Sequence, residues 1–193
     1  MKQIFSFKTL PSIIVFTAIC FLPGCSTTKK TAKKNSTVHT QAKLSYTVHK
    51  SNIPARKIDT KKVSPEELVT FAETLTGIKY KYGSADKETG FDCSGFINYV
   101  FNHFNIKVPR SSVEFTNAGT TIYPDDSKTG DIILFTGTDT SGWIVGHMGI
   151  ITQNDEGRIK FIHAASGNNK GVMISGMSNY FITRFVKVIR VFK

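Results

Sequence analysis

From Ser64 onward the spacing of apolar and polar positions changes period once, from helical to alternating. Ser64-Pro65-Glu66-Glu67 pairs a capping box with proline at the first helical position. Leu68, Phe71, Ala72 and Leu75 then recur at i, i+3, i+4 and i+7, which predicts a helix ending at Gly77. A turn-rich stretch from Tyr82 to Gly90 follows. Phe96, Ile97, Val100, Phe101 and Phe104 next fall on one face of a second helix, with Cys93 at its N-terminus. Beyond it come short runs rich in Ile, Val and Phe, bounded by Gly, Asn and Asp: Asp131 to Phe135, Val145 to Thr152, Arg158 to Ala164, Val172 to Ser175 and Arg184 to Phe192. These are predicted as strands of an antiparallel sheet.

The second and third strands are joined by the hairpin-like turn Gln153-Asn154-Asp155-Glu156-Gly157. A symmetric loop pairs Thr152 with Arg158 and sets His147 directly across from His163, with Cβ atoms about 5 Å apart on one face. A slip of one residue would send the two rings to opposite faces.

Ahead of Ser64 the pattern is different. Lys2 and Lys8 precede an apolar run from Leu10 to Leu22 that is too short to span a bilayer, so residues 1–24 read as a signal peptide. Leu22-Pro23-Gly24-Cys25 resembles a bacterial lipobox, in which Cys25 is lipidated and becomes the new N-terminus. The competing reading is an ordinary cysteine just after a cleavage site. Residues 26–63 are rich in Lys, Thr and Ser with few large apolar side chains, and read as a flexible basic linker. The folded domain is expected over residues 64–193.

The formal charge of +11 suggests a nucleic-acid partner until it is divided along the chain. Ten basic residues against Asp59 alone lie between 26 and 63, whereas basic and acidic residues from Ser64 onward number thirteen each. The basicity belongs to the tether. It suits anionic lipids or acidic wall polymers, or simply keeps a spacer solvated, and no nucleic-acid partner is expected.

Three cysteines are present, and Cys20 and Cys25 belong to the export segment. Cys93 is therefore left as a lone thiol that no internal disulfide can absorb. At a helix N-terminus, unpaired N–H groups and the helix dipole favour a thiolate, so a value below the ordinary ~8.5 is expected. The same N–H groups can hold an oxyanion. With His147 and His163 side by side on the sheet, the constellation is a nucleophile, a base and an orienting group. One cysteine and two histidines can also bind zinc, but no Cys-x-x-Cys or His-Glu-x-x-His cluster is present, and neither metal nor cofactor is expected. His39, His49 and His103 are read as non-catalytic.

These residues carry a resemblance. Tyr82-Gly83, Phe91-Asp92-Cys93-Ser94-Gly95, Val108-Pro109-Arg110-Ser111-Ser112, Gly130-Asp131-Ile132-Ile133-Leu134-Phe135, Gly146-His147-Met148-Gly149-Ile150 and Phe161-Ile162-His163-Ala164 occur in that order. The series resembles the NlpC family of bacterial cell-wall cysteine peptidases. The resemblance implies a papain-like α+β fold, with helices packed on an antiparallel sheet, and hydrolysis of peptide bonds in peptidoglycan. By position it implies Cys93 as nucleophile, His147 as general base and then acid, and His163 as the group orienting His147. Tyr82 matches a tyrosine whose hydroxyl lies near the nucleophile and assists the oxyanion hole. Asp92 and Ser94 match residues that contact the substrate's peptide end in some members, although both can equally cap the helix.

Arg110 is read either as a partner for a substrate carboxylate or as half of a surface salt bridge. Trp143, in the loop from Gly137 to Gly146 leading into His147, either walls the substrate cleft or packs as an apolar side chain. A short tethered chain is similar to lipid-anchored members that open cross-links in intact wall, and cross-link endopeptidase is the leading expectation. Cleavage between D-glutamate and the diamino acid is the runner-up. A catalytically silent wall-binding lipoprotein and an acyl-transfer enzyme are the readings from other classes. Ser26 lacks the aspartate associated with inner-membrane retention in enteric bacteria, so an outer-membrane anchor facing the periplasm is expected.

Overall fold

A computed structural model describes residue 53 and residues 55–167 and 170–193. The expected signal peptide, the expected lipidation at Cys25, His39, His49 and most of the expected basic linker lie outside the described residues. No described helix is long and apolar enough to cross a membrane.

Helix α1 (Pro65–Glu73) starts where expected, with Ser64 Oγ accepting the Glu67 N–H at 3.1 Å. It buries Leu68, Val69 and Ala72, and the chain turns through Gly77, whose φ is +88°. Two short strands, β1 (Ala85–Asp86) and β2 (Gly90–Phe91), form a small hairpin that delivers the chain to α2 (Cys93–His103). Asp92 caps α2 by accepting the Gly95 N–H at 2.5 Å. A Cβ at position 95 would stand 2.0 Å from the Ser84 carbonyl oxygen, so only glycine lets the hairpin cross the helix start. Phe96, Ile97, Val100 and Phe101 are fully buried on the sheet-facing side.

After two 3-10 segments (Ser112–Asn117 and Pro124–Asp126) and strand β3 (Thr120–Ile122), the main sheet is built from β4 (Ile132–Thr136), β5 (Val145–Asp155), β6 (Arg158–Ala164), β7 (Val172–Gly176) and β8 (Phe185–Arg190), with a short helix α3 (Asn179–Ile182) before β8. The sheet order is β3-β8-β4-β5-β6-β7, with antiparallel pairing throughout. Ile132, Leu134, Met148, Ile150 and Ile162 join the α1–α2 core. Alternate residues Ile133, Phe135, Ile151 and Phe161 form a second cluster on the other face, with Phe181 packed against it. This period-2 division is what the strand pattern encodes. Arg190 makes a two-pronged contact with Asp131, at 2.9 and 2.7 Å, tying β8 to the start of β4.

Two expectations are corrected. The boundary at residue 64 is too late: Ile58 is buried in the main core, and the Arg56 N–H donates to the Asn117 carbonyl at 2.9 Å. An apolar residue at 58 gives that end of the linker something to bury, which the lysines before it lack. The β5–β6 turn is also tighter than expected. Asp155 pairs with Arg158, leaving the two-residue turn Glu156-Gly157 with both φ values positive, 51° and 87°. That is the geometry whose twist matches flanking strands.

Candidate active site

Cys93 opens α2 and is 9% exposed. Its Sγ donates to the Gly146 carbonyl at 3.6 Å, so the thiol meets β5 one residue before His147. Gly146 sits where the β4–β5 register shifts. A Cβ there would lie 2.5 Å from Gly137 Cα, and glycine therefore allows the two ends of the 137–146 loop to close together.

The resting thiol is not acidified. Burial, followed by the Asp92 carboxylate, pushes Cys93 up to about 11, against the lowering pull of the Ser94 and Cys93 N–H groups and of Arg110. This corrects the expectation from helix position alone: desolvation and a carboxylate at the cap outweigh the helix amides. Both histidines are neutral as well, and among the described residues the hydrogen bond that the thiol donates goes to the Gly146 carbonyl, not to His147. Burial lowers His147 to about 4, and burial followed by the His147 and Lys170 charges lowers His163 to about 3.

The histidines do meet, by a different register. Ile150 pairs with Ile162 and Ile151 with Phe161, after an irregularity between Ile151 and Gln153. Continued along the strands, this pairing sets Gly149 opposite His163 and leaves His147 on the diagonal. The offset from the expected pairing is two residues, an even number, so both rings stay on one face. His147 Nε2 and His163 Nδ1 are 2.8 Å apart, with the ring planes nearly perpendicular at 82°. Phe135, Phe161 and Phe181 surround the pair, with Phe181 centroids 6.4 Å from His147 and 5.5 Å from His163. His163 Nε2 lies 2.9 Å from Ser175 Oγ.

Tyr82 is corrected. Its side chain is 89% exposed, because the chain turns at residues 81–84, with Ser84 N–H bonded to the Lys81 carbonyl and Gly83 at φ +72°. Tyr80, two residues earlier, is the tyrosine whose phenol feels the Cys93 charge. It bridges to Phe91, and burial, then the Cys93 and Asp92 charges, raise its phenol above the ordinary value. The missed signal is strand-like: Tyr80 is the last tyrosine before the turn.

Asp92, Ser94 and Arg110 come together, but with one another. Arg110 donates from Nη2 to Asp92 Oδ2 at 2.8 Å and from Nη1 to Asp92 Oδ1 and Ser94 Oγ at 3.2 and 3.1 Å. Ser94 Oγ donates to Asp92 Oδ1 at 3.2 Å. The salt-bridge reading of Arg110 and the capping reading of Asp92 are therefore realised. Trp143 is 43% exposed and its neighbour Ile144 65%. His103 stacks on Phe71 with centroids 3.7 Å apart, between the helices. Among the described residues no group of three or more His, Cys, Asp or Glu side chains is arranged to hold a metal ion.

Against known proteins, a model of the NlpC/P60 family matches residues 77–190. A probable endopeptidase of Haemophilus influenzae is 38% identical over 118 residues, covering 60% of this chain and 67% of that protein. The murein DD-endopeptidase MepS/murein LD-carboxypeptidase of Escherichia coli K12 is 33% identical over 117 residues, covering 60% and 56%. The crystal structure of the NlpC/p60 domain of the peptidoglycan hydrolase SagA superposes with a TM-score of 0.55 at 27% identity, covering 66% of this chain and 99% of that one. The chain spans 67% and 56% of the lengths of these two curated relatives, and 30% of the gamma-DL-glutamyl hydrolase of Bacillus subtilis, to which it is 33% identical over 130 residues.

Proposed function

This chain belongs to the NlpC/P60 family and has its papain-like α+β fold, and on that premise we propose that it is a cell-wall cysteine endopeptidase acting on peptidoglycan peptides. The observation that carries the chemistry is the 2.8 Å contact between His147 on β5 and His163 on β6, with the Cys93 thiol held to β5 at the Gly146 carbonyl. A binding module has no need of a nucleophile at a helix N-terminus together with an oriented pair of imidazoles.

The neutral rings define a mechanism. With its Nε2 engaged by His163, His147 keeps Nδ1 for the thiol proton. Thiol and imidazole are each uncharged at rest, so charge arises as a thiolate–imidazolium pair when substrate displaces the thiol from the Gly146 carbonyl. Catalytic hydrogen bonds often tighten only in the Michaelis complex. Thiolate attack on the scissile carbonyl forms the C–S bond, the N–H groups at the start of α2 and the Tyr80 hydroxyl support the oxyanion, and His147 gives its proton to the leaving amine. Water, deprotonated by His147, then cleaves the thioester and restores the thiol. His163 orients His147 throughout.

The substrate reading is cross-link cleavage, supported by similarity to a relative named as a murein DD-endopeptidase and by a lysine-rich segment before the domain that suits a tether. Cys25 is the proposed lipid attachment, holding the enzyme to the periplasmic face of the outer membrane, and Trp143 a wall of the substrate cleft. The test is digestion of intact peptidoglycan with the wild-type and Cys93→Ala proteins, followed by mass analysis of the released peptides. Cys93-dependent conversion of cross-linked dimers to monomers is expected. Cuts after D-glutamate would shift the bond to the stem peptide, and no Cys93-dependent product would overturn the peptidase reading.

A further inference from the structure

The sheet carries a third polar group behind the histidine pair. β6 and β7 pair Phe161 with Ser175 and His163 with Met173, so Ser175 reaches His163 along the diagonal, as His147 does from the other side. His163 Nδ1 is 2.8 Å from His147 and its Nε2 2.9 Å from Ser175 Oγ. The ring is 2% exposed, and both of its nitrogens are committed to protein partners.

We propose that Ser175 is a positioning residue that sets the His163 tautomer, and through it which nitrogen of His147 is free to take the Cys93 proton. This rests on the cysteine-peptidase reading of the site. Neutral His163 has one N–H. Placed on Nδ1, that hydrogen is donated to His147 Nε2, and the proton of neutral His147 is forced onto Nδ1, where it blocks the base. Placed on Nε2, it is donated to Ser175 Oγ, His163 Nδ1 accepts from His147 Nε2–H, and His147 Nδ1 is left with its lone pair.

The charged state makes the requirement stricter. When the S–H bond breaks and its proton joins His147 Nδ1, the imidazolium still donates from Nε2 to His163 Nδ1. His163 must then hold its own hydrogen on Nε2, where burial leaves the Ser175 hydroxyl oxygen as the acceptor. One proton moves, from Cys93 to His147, and the other two hydrogens keep their places. Without the hydroxyl, a buried N–H goes unsatisfied in the state that the reaction needs. The serine hydroxyl proton itself is free to turn elsewhere, because Ser175 is only half-buried.

The experiment uses the full-length protein in detergent, as wild type, Ser175→Ala and Ser175→Thr. Three quantities are compared: ring-nitrogen chemical shifts of His163, iodoacetamide alkylation of Cys93 at pH 7, and kcat and KM on cross-linked muropeptide dimers. Ser175→Ala is expected to shift His163 from the Nε2–H toward the Nδ1–H form. It should slow alkylation and kcat by about tenfold to a hundredfold with KM little changed, a factor matching an unsatisfied buried donor. Ser175→Thr, which keeps the hydroxyl, should recover most of the loss. An unchanged tautomer and unchanged alkylation in Ser175→Ala would overturn the proposal, as would equal losses in both variants. A wild-type protein that is inert on every wall substrate would defeat the peptidase reading alone, because the tautomer and alkylation comparisons need no substrate.

Discussion

Gly149 and His163 are the contact on which the histidine pair depends. A Cβ on Gly149 would lie 3.2 Å from the His163 Cβ, 2.7 Å from Phe161 Cδ2 and 2.9 Å from the Ile162 carbonyl oxygen. The bare backbone at 149 therefore leaves the space across which the His163 ring reaches diagonally to His147.

Gly149→Ala should accordingly destabilise the fold by about 1–3 kcal/mol, the usual cost of overpacking. It should also reduce kcat by more than the remaining folded fraction explains. Thermal unfolding and kcat measured on the same preparation check this. A variant as active and stable as wild type would mean the strands shift at no cost.

Acid should weaken the fold through the same pair. Both rings titrate in the folded protein below the ordinary 6.5, His147 at about 4 and His163 at about 3, so the unfolded chain binds protons that the folded chain does not. Their contribution is fully present above about pH 6.5 and is lost as pH falls through 4 and then 3, each ring adding a slope of up to about 1.4 kcal/mol per pH unit. Denaturant unfolding at several pH values from 4 to 8 should show a shallower acid slope in His163→Asn than in wild type. Parallel slopes would mean the rings are charged in the folded state.

Much of this geometry is legible in the sequence, and the remainder depends on tertiary detail. Ser64 and Asp92 announce the two helices, because capping is local chemistry. The alternation through β4, β5 and β6 assigns the faces, because its period is backbone geometry. The β5–β6 register is hidden for two reasons: Glu156 adopts a positive φ that favours Gly, Asn or Asp and tightens the turn by three residues, and the irregularity between Ile151 and Gln153 takes one of them back. Strand β3 and helix α3 are too short to show a period, so Phe181 could not be foreseen beside the histidines. Ser175 carries no motif, since only the β6–β7 pairing brings it to His163. The helix position of Cys93 was readable, but its elevated thiol value arises from burial that only the packed fold creates.

Cys93 should behave as a weakly acidic thiol once its base is removed. In His147→Ala, iodoacetamide reactivity should climb steadily to pH 10 without a plateau, in line with a thiol pushed up to about 11. At pH 7 the wild type should react faster if His147 takes the proton as proposed. A His147→Ala profile that levels off below pH 8 would mean the helix N-terminus dominates after all.

The two tyrosines separate cleanly by phenylalanine substitution. Tyr80→Phe should lower kcat with little effect on unfolding, since it removes only the hydroxyl proposed to support the oxyanion; loss of an oxyanion donor costs about 100- to 1,000-fold at the upper end. Tyr82→Phe should leave kcat near wild type, as its ring stands in solvent. The opposite ranking would return the oxyanion contact to Tyr82.

Cys93 is proposed to carry the acyl group of the substrate. Wild-type protein mixed with cross-linked muropeptide, quenched in acid within the first turnover and digested, should yield the peptide containing Cys93 with the added mass of the acyl half of the substrate. The adduct should vanish on treatment with hydroxylamine. Product formation at the wild-type rate by Cys93→Ala, with no adduct on the wild-type thiol, would rule out a Cys93 acyl-enzyme.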